Sequence, residues 1–351
     1  MDSLTQVVLG AAVGEAVAGH KLGRRTALWG AVAGTIPDLD VLAYPFLDPV
    51  GELRFHRGVT HGLPFAFVVG PLLGYAVWRF ARWRAVPEAE VAPWRAYGAV
   101  FFWGLLTHPL LDVFTVYGTQ LLAPFSDRPF AIGSTFIIDP VYTLPLLGFL
   151  VAALVTRDRR WAASGLAVST LVLALGVLGQ QLATSTVEAA LAAEGVEADR
   201  LLVAAGPFTS LLWRGVAEVD DRALPFSLHV ADAPEAVAFE SPIPLKRFRD
   251  AEAERRGVAT LRWFSRDWLT ALPDGGVADL RFGRAGLTEA APFVFAWDLV
   301  DGGRQIRQRP IDRDVGFGEF TALWRRAARL GGPDPSPRRT IDQITSDPPS
   351  P

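Results

Sequence analysis

Six long apolar runs fill the first half of this 351-residue chain and restrict its fold more than any other feature. They cover residues 3–19, 26–43, 62–78, 97–112, 141–156 and 161–183. Several approach the roughly 20 residues that a helix needs to cross a bilayer. Only 20% of the residues are charged, against about a quarter in soluble globular proteins. The runs therefore predict an all-α polytopic membrane domain of about six helices over residues 1–183.

Basic residues fall in every second loop between these runs. They are Lys21, Arg24 and Arg25, then Arg79, Arg82, Arg84 and Arg95, then Arg157, Arg159 and Arg160. Because cytoplasmic loops are enriched in Lys and Arg, the pattern places these three loops inside the cell. The loops 44–61 and 113–140 and everything after residue 183 then lie outside. We expect a multi-pass protein of the inner (plasma) membrane whose C-terminal domain is extracytoplasmic.

The second half of the chain has a different character. A polar, Ala-rich helix is expected over residues 184–199, and helical stretches near 245–256 and 318–330. Short apolar or alternating runs between Gly, Pro and Asp predict strands at 201–205, 211–219, 226–230, 258–264, 277–282 and 292–300. This predicts a small α+β or mostly β soluble domain over residues 184–330, with no partner indicated. Residues 331–351, rich in Pro, Asp and Ser, are predicted to be disordered.

Charge and cysteine content exclude several classes of function. The net charge is −3, so the chain has no basic field for nucleic acid and no direct binding to it is predicted. There are no cysteines, which excludes disulfides, iron–sulfur clusters and thiolate zinc sites. A metal site must therefore use His, Asp and Glu, and the positions of the five His become informative.

Four strings in the first half combine His and Asp. They are IPDLD at 36–40, FHRGVTHG at 55–62, THPLLDVFTVYGTQ at 107–120 and FIIDP at 136–140. Under the topology above, all four lie at the same ends of their helices, and ionisable groups near a bilayer are costly and usually functional. His108 and Asp112 are four positions apart and share one helix face. Imidazole and carboxylate ligands in one layer predict a divalent metal site.

Each of these residues also has a structural interpretation. Asp38 and Asp40 suit turn or cap positions after Pro37, and Asp139 before Pro140 suits an N-cap. Arg57 fits a carboxylate partner and a phosphate clamp equally well. We interpret His20 and His229, the two His outside the strings, as non-ligands.

The same strings, with the start MDSLTQ, resemble the LexA-binding, inner-membrane-associated family of metal-dependent hydrolases (YdjM-like) over about residues 1–180. That family is distantly similar to the all-helical, zinc-dependent phospholipase C group. The resemblance implies zinc as the metal, Asp38, His61, His108 and Asp112 as ligands, and His56 as a further ligand close by. The family has a His where this chain has Gln6, so the resemblance implies one or two metal ions and not three.

The expected function is a membrane-bound, metal-dependent hydrolase that cleaves a phosphoester or other ester of an amphiphilic or lipid substrate. Asp40 or Asp139 would orient or deprotonate the attacking water, and Arg57 would steady a phosphoryl oxygen. The alternative is a non-catalytic membrane protein whose His/Asp cluster is a structural metal or hydrogen-bond clasp. A transporter ranks last, because the cluster lies at one face and not at mid-membrane.

Overall fold

A computed structural model describes residues 1–23, 25–84, 91–285, 291–310, 321 and 324–328. The N-terminal region is helical. Its helices are α1 (Ser3–Leu22), α2 (Arg25–Thr35), α3 (Pro49–Phe55), α4 (Leu63–Arg84), α5 (Trp94–Asp112), α6 (Pro140–Thr156) and α7 (Arg159–Ala193). All six apolar runs are helical, as predicted. The second run is divided at Pro37, where α2 gives way to the 3₁₀ helix Pro37–Phe46.

Glycines allow α1 and α2 to approach backbone to backbone. Gly10 and Gly14 on α1 face Gly30 and Gly34 on α2, and a Cβ on Gly34 would lie 2.5 Å from the Gln6 carbonyl oxygen. Small residues four apart are typical of helix pairs in membranes, where close backbone packing replaces the hydrophobic effect as the source of association. This crossing fixes where α2 ends, and so where the 3₁₀ helix after it begins.

The helical core lies between α1, α5 and α6. Val8 and Leu9 of α1 pack with Leu111 of α5 and with Leu146 of α6, all buried. α6 begins at an N-cap, since the Asp139 carboxylate accepts the backbone N–H groups of Val141 and Tyr142. An N-cap carboxylate satisfies donors that the first helical turn leaves unpaired. The core therefore fixes the start of α1 beside the end of α5.

The C-terminal region contains two antiparallel sheets. The first has the order β1 (Arg200–Ala205), β2 (Leu212–Val219), β3 (Arg222–His229) and β4 (Ala238–Phe239), with β5 (Ile243–Pro244) also paired to β3. The second has the order β6 (Leu269–Ala271), β7 (Val277–Asp279), β8 (Ala296–Val300) and β9 (Gln305–Gln308). Two helices accompany them, α8 (Asp250–Ala253) and α9 (Arg256–Ser265). The expected mixture of strands and helices is confirmed.

One predicted strand is wrong. Residues 258–264 form most of α9, and Val258, Leu261 and Phe264 are its buried side chains. Their spacing of three is the helical period, which a short apolar run does not distinguish from a buried strand. The predicted helix near 318–330 falls largely outside the described residues, although residues 324–327 are helical. The predicted tail 331–351 lies wholly outside them.

The chain divides into two compact units. The first contains Met1–Leu47 and Arg54–Leu175, and the second contains Asp48–Leu53 and everything from Gly176 onward. α7 continues without a break through residue 183, where the sequence places the end of the membrane domain. The predicted boundaries at 183/184 and 330/331 stay predictions.

Within the described residues, two helices are long and apolar enough to cross a membrane, Leu63–Arg84 and Arg159–Ala193. The apolar helix Pro140–Thr156 is shorter.

Candidate metal centre

Three segments bring four ligand side chains together at one end of the first unit. Asp38 comes from the first turn of the 3₁₀ helix after α2, and His61 ends a short 3₁₀ turn just before α4. His108 and Asp112 come from the last turns of α5. One ligand atom from each lies within 4.8 Å of all the others. The four residues predicted as ligands on both residue type and resemblance therefore meet.

The spacing of the four atoms suits one small cation. His61 Nε2 and His108 Nε2 are 3.1 Å apart. They lie 3.4 and 3.3 Å from Asp38 Oδ1, and 3.5 and 3.6 Å from Asp112 Oδ2. A tetrahedral zinc ion with bonds of about 2.0–2.2 Å separates its ligand atoms by about 3.3–3.6 Å. Four of these five distances fall in that range, and the Nε2–Nε2 distance of 3.1 Å is slightly shorter.

The tautomer of His108 follows from its other ring nitrogen. His108 Nδ1–H donates to the Gly34 carbonyl oxygen at 2.6 Å. A carbonyl oxygen only accepts hydrogen bonds, so in a neutral imidazole the lone pair belongs on Nε2, which faces His61, Asp38 and Asp112. His61 Nδ1 lies 3.2 Å from the Thr60 hydroxyl and 3.7 Å from the Asp40 carboxylate.

Two further observations support a cation at this point. Asp112 Oδ2 is buried and has no hydrogen-bond partner, although it lies beside both imidazoles. Burial lowers the pKa of His61 to about 4, so its imidazole is neutral at pH 7 and available as a ligand. The donor set therefore fits a divalent ion, with Asp38, His61, His108 and Asp112 as its ligands.

Burial leaves the cluster one open side. The side chains of His61, His108 and Asp112 are at most 1% exposed, whereas Asp38 is 23% exposed. Among the four ligands, Asp38 is therefore the one that a water or substrate atom can approach from solvent.

Asp40 lies behind His61, on the side of the imidazole away from the cluster. Its buried carboxylate accepts the backbone N–H of Arg57 at 3.0 Å and the Nδ1–H of His56 at 3.1 Å. Carboxylates in this position orient a metal-binding imidazole and raise its basicity. The structure thus places Asp40 as a partner of His61, His56 and Arg57. Its predicted action on the attacking water stays a prediction.

His56 lies outside the four-residue group. Its ring contacts those of Tyr44, His61 and Tyr117 edge to face, and its side chain is 21% exposed. A role as a fifth ligand stays a prediction.

Arg57 is buried against the cluster in a left-handed conformation, with φ at +55°. Its guanidinium lies 3.4 Å from Asp112 Oδ1, donates to Thr115 Oγ1 at 2.9 Å and lies over the Tyr117 ring. Its Nε has no hydrogen-bond partner. Arg57 is therefore paired with the Asp112 carboxylate, as one of its two interpretations predicts. Its Nε–H remains available to a further acceptor.

Asp139 is held as the N-cap of α6, which is its structural interpretation. Gln6 is brought to the cluster instead: its side-chain amide donates to Asp112 Oδ1 at 3.1 Å and to the His108 carbonyl at 3.3 Å. The Met1 amino group also contacts Asp112 Oδ1. Sequence reasoning missed Thr115 and the Gly34 carbonyl. The four-residue spacing of the glycines on α1 and α2 is the sequence signal that could have identified that part of α2.

The fold and the site define a helical, membrane-associated protein with a buried Asp/His group able to hold a metal ion. The chain belongs to the YdjM inner membrane protein family, whose pattern matches residues 1–183. This confirms the family resemblance found in the sequence.

Two relatives each match part of the chain. The inner membrane protein YbcI of Escherichia coli (strain K12) is 39% identical over 108 residues, which are 29% of this chain and 54% of YbcI. The uncharacterized protein YfhP of Bacillus subtilis (strain 168) is 32% identical over 153 residues, 40% of this chain and 42% of YfhP. The chain thus spans about half the length of the curated relatives it matches. No solved structure matches it.

Proposed function

We propose that the protein is a membrane-bound, metal-dependent hydrolase acting on a phosphoester or other ester of an amphiphilic or lipid substrate. The observation that carries the proposal is the convergence of two imidazole Nε2 atoms, 3.1 Å apart, with two carboxylates around one point. Zinc is the metal we infer, because imidazole and carboxylate ligands in a near-tetrahedral set suit it.

A divalent ion held here would supply a Lewis acid and lower the pKa of a water ligand. The residues of the chain supply the rest. Asp38, His61, His108 and Asp112 would hold the ion, and Gln6 fixes Asp112 through its other oxygen. Arg57, whose Nη2 lies 3.4 Å from Asp112 Oδ1 and whose Nε has no hydrogen-bond partner, steadies a phosphoryl oxygen. Asp40 or Asp139 is the remaining candidate to hold the proton of the water.

We also propose the membrane arrangement that the charge pattern predicts, with six crossings and both the cluster and the C-terminal domain outside. The family and the two candidate spans support membrane location. Arg79, Arg82 and Arg84 at the end of α4 support a cytoplasmic position for that end. A reporter fused at residue 200 and another at residue 90 would have opposite sidedness, and equal sidedness would refute this arrangement.

The test of the hydrolase is metal content and cleavage measured on the same purified protein. Elemental analysis is expected to find stoichiometric zinc in the wild type and little in His108→Ala and Asp112→Asn. Phosphodiester and phospholipid cleavage is expected to fall with the metal. His20→Ala is the matched control, since His20 is an exposed imidazole near the opposite end of α1. Wild-type protein without metal would refute the proposal.

A specific observation favours the alternative, a structural metal clasp. The cluster offers four protein ligands, enough to fill every position of a tetrahedral ion, and structural zinc sites are closed in this way while catalytic sites keep an open position. A clasp predicts that chelation lowers the unfolding temperature while every candidate ester stays intact in the metal-loaded protein. Cleavage that is lost with the metal and returns with it would exclude a purely structural role.

A further inference from the structure

The segments that carry the metal cluster also expose large apolar side chains. Phe46 is 88% exposed, Phe125 85% and Leu42 67%. Three neighbours are also exposed, and together the six form what we term the apolar collar: Leu42, Phe46, Phe55, Val59, Leu122 and Phe125. The predicted topology treats the segments 44–61 and 113–140 as loops outside the membrane. Side chains of this kind are unexpected in loops that project into water.

The collar belongs to the same end of the first unit as the cluster. Leu42 and Phe46 lie on the 3₁₀ helix that holds Asp38, and Val59 precedes His61 by two residues. Two backbone hydrogen bonds tie the segment before Leu122 and Phe125 to the His61 segment. Gln120 N–H donates to the Arg57 carbonyl at 3.0 Å, and Leu63 N–H donates to the Leu121 carbonyl at 2.8 Å.

The collar is continuous along the chain with a candidate membrane span. α4 begins at Leu63, directly after the His61 turn, and exposes Phe67, Val68 and Leu72. It is one of the two described helices long and apolar enough to cross a bilayer. Groups of large exposed apolar side chains on a protein surface mark interaction or membrane sites. Lipid that surrounds α4 therefore meets the collar at its end.

We propose that the apolar collar inserts into the bilayer, so that these segments lie within the lipid interface. The metal cluster, carried on the buried side of the same segments, then lies at the depth of the lipid head groups. This inference goes beyond the proposed hydrolysis and does not depend on it, because the depth of the collar is the same whether or not the bound metal cleaves an ester.

The absence of cysteine makes the depth of single positions directly measurable. Phe46→Cys and Phe125→Cys carry a nitroxide label in the full chain, reconstituted in vesicles of phosphatidylethanolamine and phosphatidylglycerol. Collision rates with oxygen, which concentrates in lipid, and with a water-soluble nickel chelate are measured by power saturation. Asp127→Cys is the matched control, two residues from Phe125 and 67% exposed but charged in the native chain.

We expect an oxygen-to-nickel ratio several-fold higher at positions 46 and 125 than at position 127. Nickel accessibility at 46 and 125 equal to that at 127 would overturn the proposal, since it would place the collar in water. Shielding from both reagents would overturn it too, because a protein surface would then cover the collar. A thermal unfolding transition like that of the wild type in each labelled variant shows that the fold survives, whether or not the protein holds a metal. A failure of this inference is thereby separated from a failure of the metal site.

Discussion

Gly34 offers the sharpest test of how the metal cluster is positioned. It is the penultimate residue of α2, its carbonyl oxygen accepts the His108 Nδ1–H, and it precedes the ligand Asp38 by four residues. A Cβ at this position would lie 2.5 Å from the Gln6 carbonyl oxygen and 3.1 Å from Gly10 Cα. The substitution Gly34→Ala keeps the carbonyl that His108 needs. It therefore perturbs geometry without removing any ligand or hydrogen-bonding group.

The size of the perturbation follows from these distances. Ordinary contact begins at 3.4 Å, so α1 and α2 must separate by about 0.9 Å, the difference between 3.4 and 2.5 Å. Metal sites tolerate displacements of only about 0.2–0.5 Å. Asp38 is attached directly to the end of α2 and moves with it, whereas the other three ligands are carried by later segments. The displacement of α2 must therefore open the ligand set. We expect the zinc affinity to fall by about 10- to 100-fold, the range seen when ligand orientation is lost.

Stability should change less than metal affinity. Overpacking costs about 1–3 kcal/mol, and replacing a helical Gly by Ala returns up to about 1 kcal/mol. Zinc affinity is measured by competition with a chromophoric chelator, and unfolding by thermal scans of the metal-free protein in detergent. Gly148→Ala is the matched control, because a Cβ there meets nothing within 4 Å. If Gly34→Ala bound zinc as tightly as Gly148→Ala, the glycine crossing would not position the site.

Three further predictions concern single side chains. Asp40→Ala is expected to weaken zinc binding about 10- to 100-fold without removing a ligand, and unchanged affinity would show that Asp40 does not act through His61. In metal-free protein His61 has its pKa lowered from 6.5 to about 4, so the unfolded state binds the proton more tightly. Stability should therefore fall by up to about 3 kcal/mol as the pH drops through that window, and the fall should be absent in His61→Gln. Asp279→Ala leaves the fully buried Arg281 without the carboxylate that its guanidinium donates to at 2.6 and 3.0 Å. It should destabilise the second unit by about 3–5 kcal/mol, and a loss below about 1 kcal/mol, measured by urea unfolding, would contradict this.

Much of the first unit was predictable because its signals are long or specific. Each apolar run extends over several helical turns, so periodicity and hydropathy identify it without knowledge of its neighbours. Likewise, Asp38, His61, His108 and Asp112 were predictable as a group, because three of the five His fall in strings that also contain Asp and that carry the family resemblance. The sequence could not indicate that Pro37 would change α2 into a 3₁₀ helix that turns Asp38 toward the cluster.

Roles that depend on the direction of a side chain were not predictable. Asp40 is only two residues from Asp38, yet its carboxylate contacts the opposite side of the His61 imidazole. His56 is 16 residues from Asp40 in the sequence, and only the tertiary fold pairs them at 3.1 Å. In the second unit, the prediction of a strand at 258–264 is wrong for a related reason. A seven-residue run carries too little periodicity to separate a helix from a buried strand.

The burial pattern bears directly on the choice between hydrolase and clasp. A structural site has every coordination position filled by a protein ligand, and three of the four ligands here are also fully enclosed. Asp38 is not, because its side chain is 23% exposed and stands on a 3₁₀ helix whose far end carries the exposed Leu42 and Phe46. Carboxylates change between one and two bound oxygens more easily than imidazoles, so coordination would open at Asp38. With the collar in lipid, that opening faces the head-group region, where an ester of an amphiphile is at its highest local concentration.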